Sequence, residues 1–282
     1  MAQAAFILLL QCRDKKGIVA GVSQFILEHD GNIITADQHT TDPEGGYFFM
    51  RVEFMADEKR YNRASLSENF AGVAQAFEAE WAIYNKNDTL RMGIMVSEPG
   101  HCLIDILYLW RSRELGVEIP FVASNYEGHR GLVEQFKLPF YFIPANKINR
   151  REEEFLALAK DNTDFLVLAR YMLVLSGKFL KQYPGDIINI HHGFLPSFKG
   201  ADPYRQALDK GVKVIGATAH FVTEQLDEGP IISQQVEHVS HKDSYDSLVR
   251  KGRNLEKLAL ADALRSYLDY RIIRHRDTTI VF

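Results

Sequence analysis

The chain changes rhythm once, and that change limits its folds more than any other feature. Up to residue 84 its apolar runs follow the order strand, helix, strand, strand, helix, strand; from residue 91 short strands alternate with helices. The first order is the split βαβ pattern of a small α+β sandwich, and the second is that of a parallel, doubly wound sheet. In the first part, Phe6–Cys12 reads as a strand and Ile18–His29 as a helix with Ile18, Val19, Val22, Phe25 and Ile26 on one face. Ile33–Thr40 and Tyr47–Met55 read as strands around the turn Asp42-Pro43-Glu44-Gly45-Gly46, followed by a helix over Leu66–Ala79 and a last strand near Glu80–Tyr84. Polar Asn85-Lys86-Asn87-Asp88 then reads as a linker. The expectation is an α/β protein with a small domain over residues 1–84, a linker over 85–90 and a larger domain over 91–282.

In that larger part, strands are expected at Arg91–Val96, Glu118–Ala123, Phe140–Ile143, Phe165–Leu168 and Ile187–Ile190. Between them lie helical stretches around Cys102–Leu115, His129–Gln135, Arg151–Lys160 and Lys178–Gln182. Val214–Val222 and Pro230–Val239 read as paired strands, and Ser244–Tyr270 as a long final helix.

Bulk properties exclude several functions. A net charge of −4 gives no electrostatic reason to bind nucleic acid or an anionic membrane. Two distant cysteines, Cys12 and Cys102, argue against a disulfide framework or a zinc cluster and fit a reducing cytoplasm. The run Ala4–Leu10 lacks a basic leader, is followed by charged residues, and falls far short of the ~20 residues that span a bilayer; it reads as a buried strand.

Ligands of a doubly wound sheet sit where strands run into loops. The richest such place is Ile187-Ile188-Asn189-Ile190-His191-His192-Gly193. Alternation along a strand sends Asn189 and His191 to one side together. An amide that donates to a developing oxyanion, beside an imidazole that holds or moves a proton, suits acyl chemistry. The same two residue types also serve as structural hydrogen-bonders, and spacing alone does not choose. Adjacent His191 and His192 face opposite ways, which speaks against a shared metal, and none is expected.

Four segments carry a resemblance: Asn189-Ile190-His191, Leu195-Pro196-Ser197-Phe198-Lys199-Gly200, Gly216-Ala217-Thr218-Ala219-His220-Phe221-Val222 and Leu226-Asp227-Glu228-Gly229-Pro230. In this order they resemble the formyltransferase family, whose best-known member acts on glycinamide ribonucleotide. The resemblance covers roughly residues 91–269 and implies that Asn189, His191 and Asp227 are the catalytic residues. By the same resemblance, Met172, Leu173, Val174 and Leu175 would pack against a folate pterin, and the backbone of Thr223, Glu224, Gln225 and Leu226 would bind it. Read from the residues alone, Met172–Leu175 is core packing and His220 a hydrogen-bonded strand residue. Leu173 departs from the pattern, since the ribonucleotide transferase has an arginine there.

The loop Ser97-Glu98-Pro99-Gly100-His101-Cys102 is a poor phosphate cradle, because Glu98 adds negative charge and Pro99 has no N–H. This loop, and a preceding ACT-like domain with Asp14-Lys15-Lys16-Gly17-Ile18-Val19 and Gly31-Asn32-Ile33, resemble the formyltetrahydrofolate deformylase family. That likeness implies hydrolysis of 10-formyltetrahydrofolate to formate and tetrahydrofolate, supplying formate for purine synthesis and balancing one-carbon folate pools. It implies no cofactor, the folate being substrate, and an ACT domain that binds glycine or methionine near Asp14, Gly17, Ile18 and Asn32 or only drives homo-oligomer formation. The competing readings are a formyltransferase with an amine acceptor and a non-catalytic folate or amino-acid sensor.

Overall fold

The computed structural model describes residues 3–42, 44–197 and 202–282, so Pro43 of the expected turn and Phe198-Lys199-Gly200 of the family motif lie outside the described residues. Two compact units divide the chain: one comprises residues up to Thr89 with Asp269–His275 and Thr279–Phe282, the other Leu90–Leu268 with Arg276–Thr278.

The first unit contains β1 (Gln3–Arg13), α1 (Ile18–Glu28), β2 (Asn32–Thr40), β3 (Tyr47–Asp57), α2 (Arg63–Phe77) and β4 (Glu80–Asn85). Its antiparallel sheet runs β2-β3-β1-β4. The unbroken apolar run of β1 follows from burial on both faces. Phe6, Leu8 and Leu10 meet Val22, Phe25 and Phe70 of the two helices. Ile7 and Leu9 face the other way and pack with Phe49, Ile273, Tyr270 and Phe282. That second cover includes the C-terminal strands of the chain (Ile272–His275 and Thr278–Val281), which pair with each other. The pattern predicts a second domain running to residue 282; the structure instead packs most of 269–282 on the first unit. The physical reason is that the apolar face of β1 opposite the helices needs a cover, and no local pattern in a short segment announces so distant a partner.

Beneath that cover lies a buried ionic pair. Arg51, 6% exposed, donates from Nε to the Tyr270 carbonyl (3.1 Å) and from Nη2 to the Asp269 carbonyl (3.1 Å) and Glu53 (3.2 Å). Lys86 Nζ lies 2.7 Å from the other Glu53 oxygen. Burial alone would push the Glu53 carboxyl up, but Lys86 and Arg51 more than offset it and hold it below the usual range. A carboxyl lowered in the folded state stabilises above its unfolded pKa, ~4.3, and loses that contribution as pH falls through the folded value. Glu53→Gln is therefore expected to be less stable than wild type at neutral pH, with the gap in thermal midpoint closing below pH ~4. A gap that stayed constant from pH 7 to 3 would show that the pair contributes nothing.

The second unit contains β5 (Leu90–Val96), α3 (His101–Arg111), β6 (Val117–Glu118), β7 (Val122–Ser124), α4 (Arg130–Gln135), β8 (Phe140–Phe142), α5 (Glu152–Ala159) and β9 (Phe165–Leu168). It continues with α6 (Gly177–Gln182), β10 (Asp186–His191), α7 (Pro203–Asp209), β11 (Val214–Phe221), β12 (Ile231–His238) and α8 (Tyr245–Leu268). One sheet runs β12-β11-β10-β9-β5-β7-β8, with β6 beside β5. The pairs from β10 through β8 are parallel, and β11 and β12 add antiparallel strands at one side. Two details differ from expectation. Glu118–Ala123 is two short strands, since Pro120 between them has no N–H for a ladder. The helix α7 was not anticipated, although Asp202 caps it by accepting from Arg205 N at 3.2 Å and Pro203 opens it.

From β5 the chain adds β7 and β8 on one side, then crosses back to place β9 on the other. The strand order therefore reverses between β5 and β9, and the loops at their carboxyl ends, beginning at Ser97 and Ala169, frame the crevice where such sheets bind ligands. They are tied together: Ser97 N donates to the Arg170 carbonyl (3.1 Å), and Met172 N donates to Ser97 Oγ (2.9 Å). Among the described residues no helix is long and apolar enough to cross a membrane.

Candidate active site

The next strand over, β10, ends in this crevice. Its alternation buries Ile188 and Ile190 in the sheet's packing and turns Asn189 and His191 together to the opposite side. In the antiparallel ladder to β11, Asn189 stands directly across from His220, and His191 across from Thr218. Thr218 Oγ1 donates to the Gly193 carbonyl (2.9 Å) and accepts from Leu195 N (3.1 Å), which holds the chain as it leaves His191.

Asn189 Nδ2 lies 3.1 Å from His220 Nε2. His220 Nδ1 lies 2.9 Å from the Phe221 carbonyl, an acceptor, so Nδ1 carries the ring proton and Nε2 accepts from the amide. Burial holds the His220 pKa below its ordinary value, which keeps the ring neutral and this pattern intact. One N–H of Asn189 is thereby oriented, and its second N–H can serve an oxyanion. His220 thus acts as the hydrogen-bonded strand residue expected of it.

Asp227 arrives from the loop between β11 and β12. A register shift between Ala219 and His220 twists β11 at the site, as bulges do. Asp227 itself adopts φ 57°, a left-handed conformation that aspartate tolerates better than most residues. Two residues on, a Cβ on Gly229 would lie 1.7 Å from the Phe221 carbonyl oxygen, so only glycine lets the loop fold back onto the strand. The result places Asp227 Oδ2 3.3 Å from His191 Nδ1, both nearly buried at 9% and 4% exposed, with Asp227 Oδ1 3.9 Å from His220 Nε2. Gly229→Ala is therefore expected to displace this loop, lowering the thermal midpoint and cutting turnover by about tenfold or more. Wild-type behaviour in both would mean that the loop's close approach is dispensable.

Neighbouring His192 points elsewhere, as alternation requires. Burial first, and Arg170 next, push its pKa down to about 3. His101, Cys102 and Glu256 bring one nitrogen, one sulfur and one oxygen within 4.8 Å of one another. This is a poor metal set: burial drives the Cys102 thiol up, and the Glu256 oxygens are already bound by Tyr204 (2.6 Å) and His101 (2.9 Å).

With this geometry in view, the known relatives are decisive. Residues 90–264 match the formyl transferase family and residues 6–58 the ACT domain. The formyltetrahydrofolate deformylase of Bacillus subtilis (strain 168) is 46% identical over 98% of this chain and 93% of its own length. The crystal structure of a formyltetrahydrofolate deformylase from Pseudomonas syringae pv. tomato superposes with a TM-score of 0.92 at 41% identity, covering 100% of this chain and 95% of that one. The chain belongs to the formyltetrahydrofolate deformylases. By comparison, the glycinamide ribonucleotide transformylase 1 of Symbiobacterium toebii gives a TM-score of 0.63 at 29% identity, covering 71% of this chain and 97% of that one.

Around the Asn189–His191–Asp227 cluster of this deformylase, the residues expected to hold folate divide in two. Met172 and Val174 are exposed, at 49% and 48%, whereas Leu175 is buried and half-buried Leu173 packs against the same core. Two apolar side chains held out of the core make a surface that a flat ring can cover; reading all four as core is incorrect for Met172 and Val174. Thr223 Oγ1 donates to the Gln225 carbonyl (3.1 Å), while Glu224, Gln225 and Leu226 are exposed. Of the expected effector residues, Asp14 and Gly17 share the turn into α1. Asp14 accepts from Thr40 Oγ1 at 2.9 Å, and Gly17 has φ 95°. Ile18 is 1% exposed and belongs to the core, and Asn32 lies past the other end of α1, ~16 Å away by helix rise. Within one chain, then, these four do not form a single cluster.

Proposed function

We propose that the protein hydrolyses 10-formyltetrahydrofolate to formate and tetrahydrofolate, with Asn189, His191 and Asp227 as its catalytic residues. The observation that carries the roles is the 3.3 Å contact between His191 and Asp227 beside an amide whose orientation is set by His220. Folate binds over Met172 and Val174, against Leu173 and Leu175, with its pterin meeting the backbone of Thr223 to Leu226. The Asp227–His191 pair accepts a proton from water as its oxygen bonds to the formyl carbon. Asn189 and His191 stabilise the oxyanion. That proton then goes to N10, the C–N10 bond breaks, and formic acid leaves, giving up its own proton to water to become formate. No cofactor takes part in these steps, and the folate is the substrate.

Water is the nucleophile because the loop after β5 is a poor cradle for a phosphorylated acceptor. Ser97 N–H is spent on Arg170, Ser97 Oγ on Asn125 and Met172, and the Ser97 carbonyl on His129. His101 is engaged by Glu256. The test is stoichiometric. Protein and formyl-folate mixed without any amine should release formate, and no release until an amine is added would make this a transferase. We also propose a cytoplasmic homo-oligomer that feeds formate to purine synthesis, with the ACT unit binding glycine or methionine. Its test is sedimentation and turnover measured with and without those amino acids.

A further inference from the structure

A second cavity of about 250 Å³ lies in the same unit, lined by Pro99, His101, Arg170, His192, Tyr204 and Arg253 among others, with Glu256 at its wall. It adjoins the catalytic cluster through His192, whose ring centroid is 5.3 Å from that of His191. Its volume is below the roughly 300–1,000 Å³ of sites that take drug-sized ligands. An anion of three heavy atoms fits with its waters.

The cavity sets two cations, Arg170 and Arg253, against two carboxylates, Asp202 and Glu256, and both carboxylates are already engaged: Asp202 Oδ1 accepts from Arg205 N at 3.2 Å and from the Tyr245 hydroxyl at 3.0 Å. Glu256 is 1% exposed and saturated. Its Oε1 accepts from the Tyr204 hydroxyl at 2.6 Å and its Oε2 from His101 Nε2 at 2.9 Å. Burial would push its pKa up, but His101, Arg170 and Tyr204 hold the carboxyl ionised below the usual range. Arg170 Nε stands 3.2 Å from Glu256 Oε2, yet that buried Nε makes no hydrogen bond. The carboxylate thus neutralises part of the Arg170 charge while the Nε–H is left without a hydrogen bond, an unfavourable state for a buried donor. Arg170, at a backbone φ of 66°, lines the cavity. Arg253, exposed and one turn before Glu256 on α8, adds a second positive charge. The neutral ring of His192 separates these cations from the catalytic pair.

Resting on the hydrolytic reading above, we propose that this cavity is a binding site for the product carboxylate, formate, held by Arg170 and Arg253. An arginine fork matches the two oxygens of a carboxylate and is weakly hydrated, so it receives a small anion at modest desolvation cost. Formate released on one side of His192 is captured on the other, and Glu256 positions Arg170 to receive it.

The test uses the full-length protein without folate and ¹³C-formate as the probe, with binding read from broadening of the formate resonance. Arg253→Gln, on an exposed helix face, and Arg170→Lys are each expected to weaken formate binding tenfold or more. Arg265→Gln, elsewhere on α8, leaves it unchanged. Formate should also inhibit acceptor-free turnover in wild type, with that inhibition weakened in step in the two cavity variants. Equal formate binding in wild type and both variants, or no binding at all, overturns the site; formate release by wild type in the same experiment keeps the hydrolytic reading standing. Inorganic phosphate binding more tightly than formate overturns the assignment of the ligand. Formate binding without any turnover of formyl-folate overturns the hydrolytic reading and, with it, the naming of this anion as product.

Discussion

Replacing Asp227 with asparagine is expected to lower acceptor-free formate release by about 10²–10⁴, while the fold survives. The substitution is close to isosteric, and asparagine tolerates the left-handed φ of 57° that this position requires. What is lost is the negative charge 3.3 Å from His191 Nδ1, in a site where both partners are nearly buried. Poor solvation makes that charge matter: in a low-dielectric pocket a carboxylate stabilises an imidazolium far more than it would in water. The measurement is initial-rate formate production, paired with a thermal melt to show that the variant is folded. A folded Asp227→Asn protein with rates within a few-fold of wild type would remove Asp227 from the mechanism.

The second large effect belongs to Asn189. Asn189→Leu keeps the side-chain volume but removes the donor, and kcat is expected to fall by about 10²–10³, as for the loss of one oxyanion-hole donor. Because the interaction forms only as charge develops on the formyl oxygen, KM should change little. The variant also leaves His220 Nε2 without the amide that lies 3.1 Å away, so a lower thermal midpoint should accompany the kinetic loss. A raised KM with unchanged kcat would recast Asn189 as a group that merely holds the bound substrate.

These two experiments separate what could be read in the residues from what could not. The alternation of β10 alone sends Asn189 and His191 the same way, and the structure shows both on one side of the strand. Nothing in the spacing brought Asp227 to them. That required the β11–β12 hairpin, the bulge at Ala219–His220 and the close approach that Gly229 permits, each set by backbone geometry after the strands have paired. The family resemblance supplied the contact that the pattern lacked. His220 was legible as a strand residue, but its service to Asn189 depends on the antiparallel register that sets the two opposite each other.

The same division holds across the chain. Periodicities of about two and 3.6, caps and turn residues act over a few neighbours. The amino-acid order by itself therefore determined the two-part organisation, most strands and helices, the burial of β1 as a strand and the pairing of amide with imidazole on one strand. Partners far apart in sequence were decided only by the tertiary structure: the C-terminal strands that cover Ile7 and Leu9, the carboxylate beside His191, and the Arg170–Glu256 contact at the second cavity. The reason is physical. Such contacts form only when the closure of long loops is offset by burial of the assembled surfaces, and no short window of residues records that balance.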